Sequence, residues 1–211
     1  MAAMRKSDLK EFGHILIHPN DGFEEMSYHK RGSPLLAGIV ILCFFLFTMF
    51  ERFGLAFRFN HYTVENCNVF LVFVSTFCLA CIGVISNWAL STLWDGKATL
   101  RTIWIVVGYS LTPYVVAILL RTLISHICTL EDSAFLSIMM TVCVLWSLLL
   151  LWFGMLQTQE YTIGKNFLCL LGTVIGMLLI LFLCFLVMLL FQQLFSFLVS
   201  IFDEIVLRLG L

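Results

Sequence analysis

The stretch FLCLLGTVIGMLLILFLCFLVMLLF, residues 167–191, contains no charged residue and no proline. A hydrocarbon core about 30 Å thick is crossed by roughly 20 apolar residues in an α-helix. The stretch exceeds that length, so it is read as a spanning helix with room to tilt. Four further apolar runs precede it. They cover residues 34–50, closed by Glu51-Arg52; 69–90; 103–120, with Pro113 inside; and 134–155. The expected fold is an all-α integral membrane protein, a bundle of five transmembrane helices.

Composition leads to the same place. The 211-residue chain is 61% hydrophobic and only 12% charged, against roughly 25% charged for a soluble domain. Too few polar side chains remain to clothe a water-facing surface. The net charge of −1 offers no basic field for nucleic acid. Six of the eight cysteines lie within apolar runs, where cysteine acts as a small hydrophobe. Cys67 and Cys128 fall near predicted loops, and whether they pair stays open.

Both ends of the chain read as amphipathic. Residues 1–33 are polar and lack the apolar core of a secretory signal peptide. Within them Asp8 and Glu11 have capping-box spacing, and Leu9, Phe12, Ile15 and Leu16 share one helical face until Pro19 ends it. This segment is expected to be cytosolic, with a short interfacial helix. After Gln192-Gln193, the residues Ser196, Ser200, Glu204 and Arg208 recur every four positions among Phe, Leu, Ile and Val. Residues 194–211 are thus expected to form an interfacial amphipathic helix, with a plain extension of the fifth span as the alternative. The membrane domain proper is placed at 34–193.

Orientation follows the Lys/Arg bias of the loops. Arg5, Lys6, Lys10, Lys30, Arg31, Lys97, Arg101 and Lys165 fall on one side, and Arg52, Arg58, Arg121 and Arg208 on the other. That bias puts the N-terminus in the cytosol and the protein, multi-pass, in the cell membrane.

Ionisable residues inside spans mark catalysis or ion coupling, and the five spans hold none. A proton- or sodium-coupled carrier is therefore disfavoured. The Cys78-Leu-Ala-Cys81 pair sits mid-span and reads as packing rather than a redox or zinc motif. The histidines lack a supporting ligand pattern. Gly172-Thr-Val-Ile-Gly176 is a small-residue seam suited to close helix contact within the bundle. No cofactor, metal site or catalytic residue is expected, and the chain is read as not an enzyme.

The polar loops carry more information. Leu93-Trp-Asp-Gly-Lys-Ala-Thr-Leu-Arg101 contains a tight Asp95-Gly96 turn, and Glu160-Tyr-Thr-Ile-Gly-Lys165 forms the next loop on that side. Asp95, Gly96, Lys97, Glu160 and Lys165 are the candidate partner-docking residues. Simple solvated connections are the plain alternative.

These segments carry a resemblance. His18-Pro-Asn-Asp-Gly-Phe-Glu-Glu and Lys30-Arg-Gly-Ser33, then Asn87-Trp-Ala-Leu-Ser-Thr-Leu-Trp-Asp-Gly-Lys97 and Gly108-Tyr-Ser-Leu-Thr-Pro113, are similar to the motifs of YIP-type membrane domains. Thr129-Leu-Glu-Asp-Ser-Ala-Phe135, Glu160-Tyr-Thr-Ile-Gly-Lys165 and Gln192-Gln193 extend the match. The resemblance implies five spans with a cytosolic N-terminus, in a family named for eukaryotic members that interact with Rab-type GTPases. The loops look most like the Gram-positive bacterial branch, whose members resemble those encoded beside carbohydrate ABC transporters. The expectation is a non-catalytic membrane subunit or scaffold, accessory to such a transporter. Its partners would be the bilayer and other membrane proteins such as ABC permease subunits. Membrane shaping or trafficking, and a small carrier or channel, are the alternatives.

Overall fold

The computed structural model describes residues 6–29, 32–56, 68–128 and 132–209, with backbone alone at 6–10, 203, 205–207 and 209. Among the described residues every regular element is helical: α1 (Lys6–Ile17), α2 (Pro19–Tyr28), α3 (Pro34–Gly54), α4 (Val69–Leu93), α5 (Leu100–Ser110), α6 (Thr112–Ser125), α7 (Ser133–Gln159) and α8 (Ile163–Leu209). Five stretches are long and apolar enough to cross a membrane, with α5 and α6 together making the third. The chain is an all-α bundle of five candidate membrane spans.

The break in that third span has a chemical cause. Pro113 stands in the first turn of α6, where its missing N–H costs nothing, but it cannot donate to the carbonyl one turn back. The hydroxyl of Ser110 donates to the Val106 carbonyl at 2.8 Å, which occupies an acceptor beside the kink.

The helices form two layers. In the first, α3, α5–α6 and α7 pack on one another. Its far end is clamped by Arg121 Nη1 donating to Glu51 Oε1 at 2.8 Å, by His126 Nε2 to the Gly54 carbonyl at 2.8 Å, and by the Ala56 N–H to Ser125 Oγ at 3.2 Å. In the second layer, α8 lies mainly on α4 and touches α7 less. The Gly172/Gly176 seam faces α4: a Cβ at Gly176 would stand 2.4 Å from Ser86 Oγ. The two layers splay apart around a cavity of about 900 Å³, lined by both.

The N-terminal helices are built into the first layer. Their apolar faces turn inward, so Ile15, Phe23 and Met26 belong to one buried cluster with Val106, Tyr109, Leu150 and Met155. Phe12 meets Tyr109 edge-on at 4.9 Å, and the Ser33 N–H donates to the Tyr109 hydroxyl at 3.2 Å. Asp8 lies inside α1 rather than at its cap.

The C-terminal segment also differs from a separate surface helix. Residues 194–209 continue α8 without a break, giving one helix of 47 residues. Neither glycine nor proline occurs between Gly176 and the end of α8, so nothing in that stretch interrupts the backbone ladder. Cys128 is unpaired among the described residues, and the expected partner Cys67 lies outside them.

Candidate docking surface

The loop joining α4 to α5 and the turn joining α7 to α8 meet at one end of the bundle. Trp94 caps α4, and the next residue, Asp95, takes φ 55°. Glu160 ends α7 with φ 54° and ψ 41°. Both have positive φ, a conformation that costs Glu160 about 1–2 kcal/mol and that aspartate adopts more readily.

Between these turns the approach is very close. A Cβ on Gly96 would sit 2.2 Å from Gln159 Oε1, 2.5 Å from the Tyr161 hydroxyl and 2.8 Å from Ser91 Cβ. Only glycine lets the backbone through here. The Gly96 N–H donates to the Ser91 carbonyl at 2.7 Å, and the Tyr161 hydroxyl donates to the same oxygen at 3.3 Å. On top of this base, Lys97 and Glu160 form an ion pair, with side chains 66% and 58% exposed. A pair so exposed contributes only about 0–1 kcal/mol to stability, so its presence is no stability device. The Lys165 ammonium stands 4.7 Å from the centre of the Tyr161 ring.

The five residues singled out in the sequence thus converge. Gly96, Lys97 and Glu160 are in or against the contact, Lys165 reaches it through Tyr161, and Asp95 sets the turn.

Sequence reasoning missed the layer beneath. Gln159 Nε2 donates to Asn87 Oδ1 at 3.1 Å, and Asn87 Nδ2 donates to Thr173 Oγ1 at 2.9 Å. Thr173 in turn donates to the Cys169 carbonyl at 2.7 Å, and Ser86 Oγ to the Thr173 carbonyl at 2.9 Å. Asn166 Nδ2 donates to the Trp152 carbonyl at 3.2 Å. This buried network ties α4, α7 and α8 together below the loops. Gln159 Oε1 and Asn166 Oδ1 remain without a partner, which in low dielectric costs about 1–3 kcal/mol each. The available signal was three amides, Asn87, Gln159 and Asn166, placed at the same end of three spans.

Burial of Tyr161, reinforced by nearby Cys169 and Asp95, pushes its hydroxyl up to about 12 from the usual 10.0. The folded-state value is the higher one, so the stabilisation is complete below pH 10 and is lost as pH rises towards 12. We expect the wild-type unfolding temperature to fall over that window more steeply than that of Tyr161→Phe. Parallel curves for the two proteins in a pH series of thermal melts would remove the assignment.

Among the described residues no group of three or more His, Cys, Asp or Glu side chains is placed to hold a metal ion. The Yip1 domain family model matches residues 13–186, which takes in the candidate docking surface, the buried network and α2. No curated protein matches, and no solved structure does.

Proposed function

The chain belongs to the Yip1 domain family, and from that premise we propose that it is a non-catalytic, multi-pass membrane scaffold that docks a partner protein at the Lys97–Glu160 end. The observation that carries the reading is the exposed ion pair held between two left-handed, non-glycine turns. Backbone strain of this kind persists only where surrounding structure enforces it, and it clusters at sites that bind. Here the enforcement is visible as the Gly96 contact and the buried amide network below it. The pair itself adds little to stability, so a surface rigidified around it is better explained by recognition than by folding.

The Lys/Arg distribution supports a cytosolic location for this end, with the protein in the cell membrane. The loop motifs support a place in the Gram-positive bacterial branch. The family match lends no support to a sugar ABC transporter as the partner. The partner is instead defined by chemistry, as a protein face with complementary acidic and basic groups, since close charge pairs chiefly set specificity and association rate.

Reversing one charge at a time separates docking from folding. Lys97→Glu and Glu160→Lys are each expected to shift stability by less than about 1 kcal/mol. Each is expected to reduce partner recovery from native membranes by about tenfold or more, the size of a lost charge-assisted contact. The double reversal restores the internal pair and is expected to leave docking lost. Undiminished recovery with both single variants, scored by quantitative mass spectrometry of the pull-down, would sink the proposal.

A further inference from the structure

A cavity lies between the two layers. Its volume of about 900 Å³ lies within the ~300–1,000 Å³ of small-molecule sites. Its α4 wall runs from Val72 to Asn87, a rise of about 22 Å at ~1.5 Å per residue. That is longer than one leaflet's hydrocarbon, about 15 Å as half of a ~30 Å core. Asn87 and Thr173, joined by a hydrogen bond at 2.9 Å, line the cavity at the end away from Arg52.

Its walls select hydrocarbon over water. Phe44, Leu79, Tyr114, Leu148, Trp152 and Met177 supply broad apolar surface. Three of the lining hydroxyls are turned onto their own helices: Thr48 donates to the Phe44 carbonyl at 2.8 Å, Ser75 to Val72 at 3.0 Å and Ser110 to Val106 at 2.8 Å. Ser147 Oγ accepts the Tyr114 N–H at 3.2 Å.

The mouth has a different character. Arg52 is the one charged side chain among the described lining residues, and it stands in the last turn of α3. The end of a spanning helix is the depth of lipid headgroups, and a guanidinium is suited to phosphate.

We propose that this cavity binds one bilayer phospholipid, with an acyl chain along the α4–α8 wall and its phosphate at Arg52. The lipid then completes the core between the layers, filling space that the protein's own side chains do not reach. A lipid held this way differs from those coating the outer faces, because its chain lies between helices of both layers.

The test uses the full chain, extracted into polymer-bounded discs, washed into detergent and examined by native mass spectrometry. The wild type is expected to retain one phospholipid per chain. Ala80→Phe combined with Gly83→Phe fills the α4 wall, where a Cβ at Gly83 meets only Met177 Sδ at 3.6 Å and Cε at 3.7 Å. That pair is expected to lower the retained fraction about tenfold or more, while Leu178→Phe on an exposed face of α8 leaves it unchanged. Because the double variant can fail to fold, Arg52→Gln provides a second reading, with an expected loss of about tenfold. Three results overturn the proposal: no phospholipid on the wild type, equal retention in a monodisperse filled variant, or a retained mass that is a lipidated peptide. Unchanged retention in Arg52→Gln overturns the placement of the phosphate.

Discussion

Gly108→Leu is expected to abolish a monodisperse folded species, whereas Gly38→Ala is expected to leave it intact. Gly108 lies on α5 where it crosses α3. A Cβ there would stand 2.5 Å from Ala37 Cβ, 2.6 Å from its Cα and 2.9 Å from its carbonyl oxygen. Two of those three atoms are backbone and cannot rotate away, so the helices must separate. Overpacking of a filled core costs about 1–3 kcal/mol and sometimes more. Leucine, with further atoms to place, falls at or above the top of that range. Whole-protein stability is only about 5–15 kcal/mol, and this seam also positions Tyr109 for the Ser33 contact. Gly38 sits one residue from Ala37, and a Cβ there meets nothing within 4 Å. Alanine at that site is neutral or helps by up to about 1 kcal/mol through helix propensity. Fluorescence-detected size exclusion after detergent extraction separates the outcomes. Normal elution of Gly108→Leu would mean that the α3–α5 crossing is looser than its geometry.

The second large effect belongs to Asn87, which is 2% exposed. Asn87→Ala deprives Gln159 Nε2 of its acceptor and Thr173 Oγ1 of its donor. Gln159 Oε1 already lacks a partner, so the variant leaves an entire amide unsatisfied in the bundle. Each orphaned buried group costs about 1–3 kcal/mol. Polar contacts between spanning helices average nearer ~0.6 kcal/mol, because the unfolded chain in the membrane also finds partners. The combined loss is placed at about 2–3 kcal/mol. It is expected to loosen the Gly96–Tyr161 contact as well, because Gln159 lies directly against Gly96. Thr92→Ala, on an exposed residue one turn further, is expected to stay within about 0.5 kcal/mol. Denaturant titration followed by tryptophan fluorescence measures both. Equal midpoints would show that the network adds nothing.

What could be read in advance and what could not divide along a physical line. Crossing a bilayer depends on length and polarity, which are local, so the run at 167–191 and the four before it were legible residue by residue. Pro113 is visible inside the third span, but whether proline there kinks or breaks the helix depends on the packing around it. Grouping of Asp95, Gly96, Lys97, Glu160 and Lys165 was accessible because loops between successive spans alternate sides. The partners of Asn87 were not accessible, since contact between α4, α7 and α8 depends on how each helix is rotated. Lipid and neighbouring helices are almost equally apolar, so hydropathy carries little of that rotation. For the same reason the inward face of α1 and α2 resembled a surface-lying face: Ile15, Phe23 and Met26 suit either setting. At the C-terminus the four-residue polar rhythm was visible. It did not reveal that the backbone runs straight through Gln192 and Gln193, because glutamine neither caps nor breaks a helix.

With 47 residues, α8 is about 70 Å long at ~1.5 Å per residue, more than twice the ~30 Å that it has to cross. Its anchoring contacts with α4 involve the early part, around Cys169, Thr173 and Gly176. The rest of the helix is therefore a lever with its fulcrum near one end. Spanning helices tilt to match the thickness of the lipid around them. A change of about 10° in tilt swings the ~54 Å arm beyond Thr173 so that its end moves through about 9 Å. The geometry of α8 converts a small local adjustment to membrane thickness into a displacement close to the width of a helix, about 10 Å, delivered on the face of the membrane opposite the Lys97–Glu160 pair.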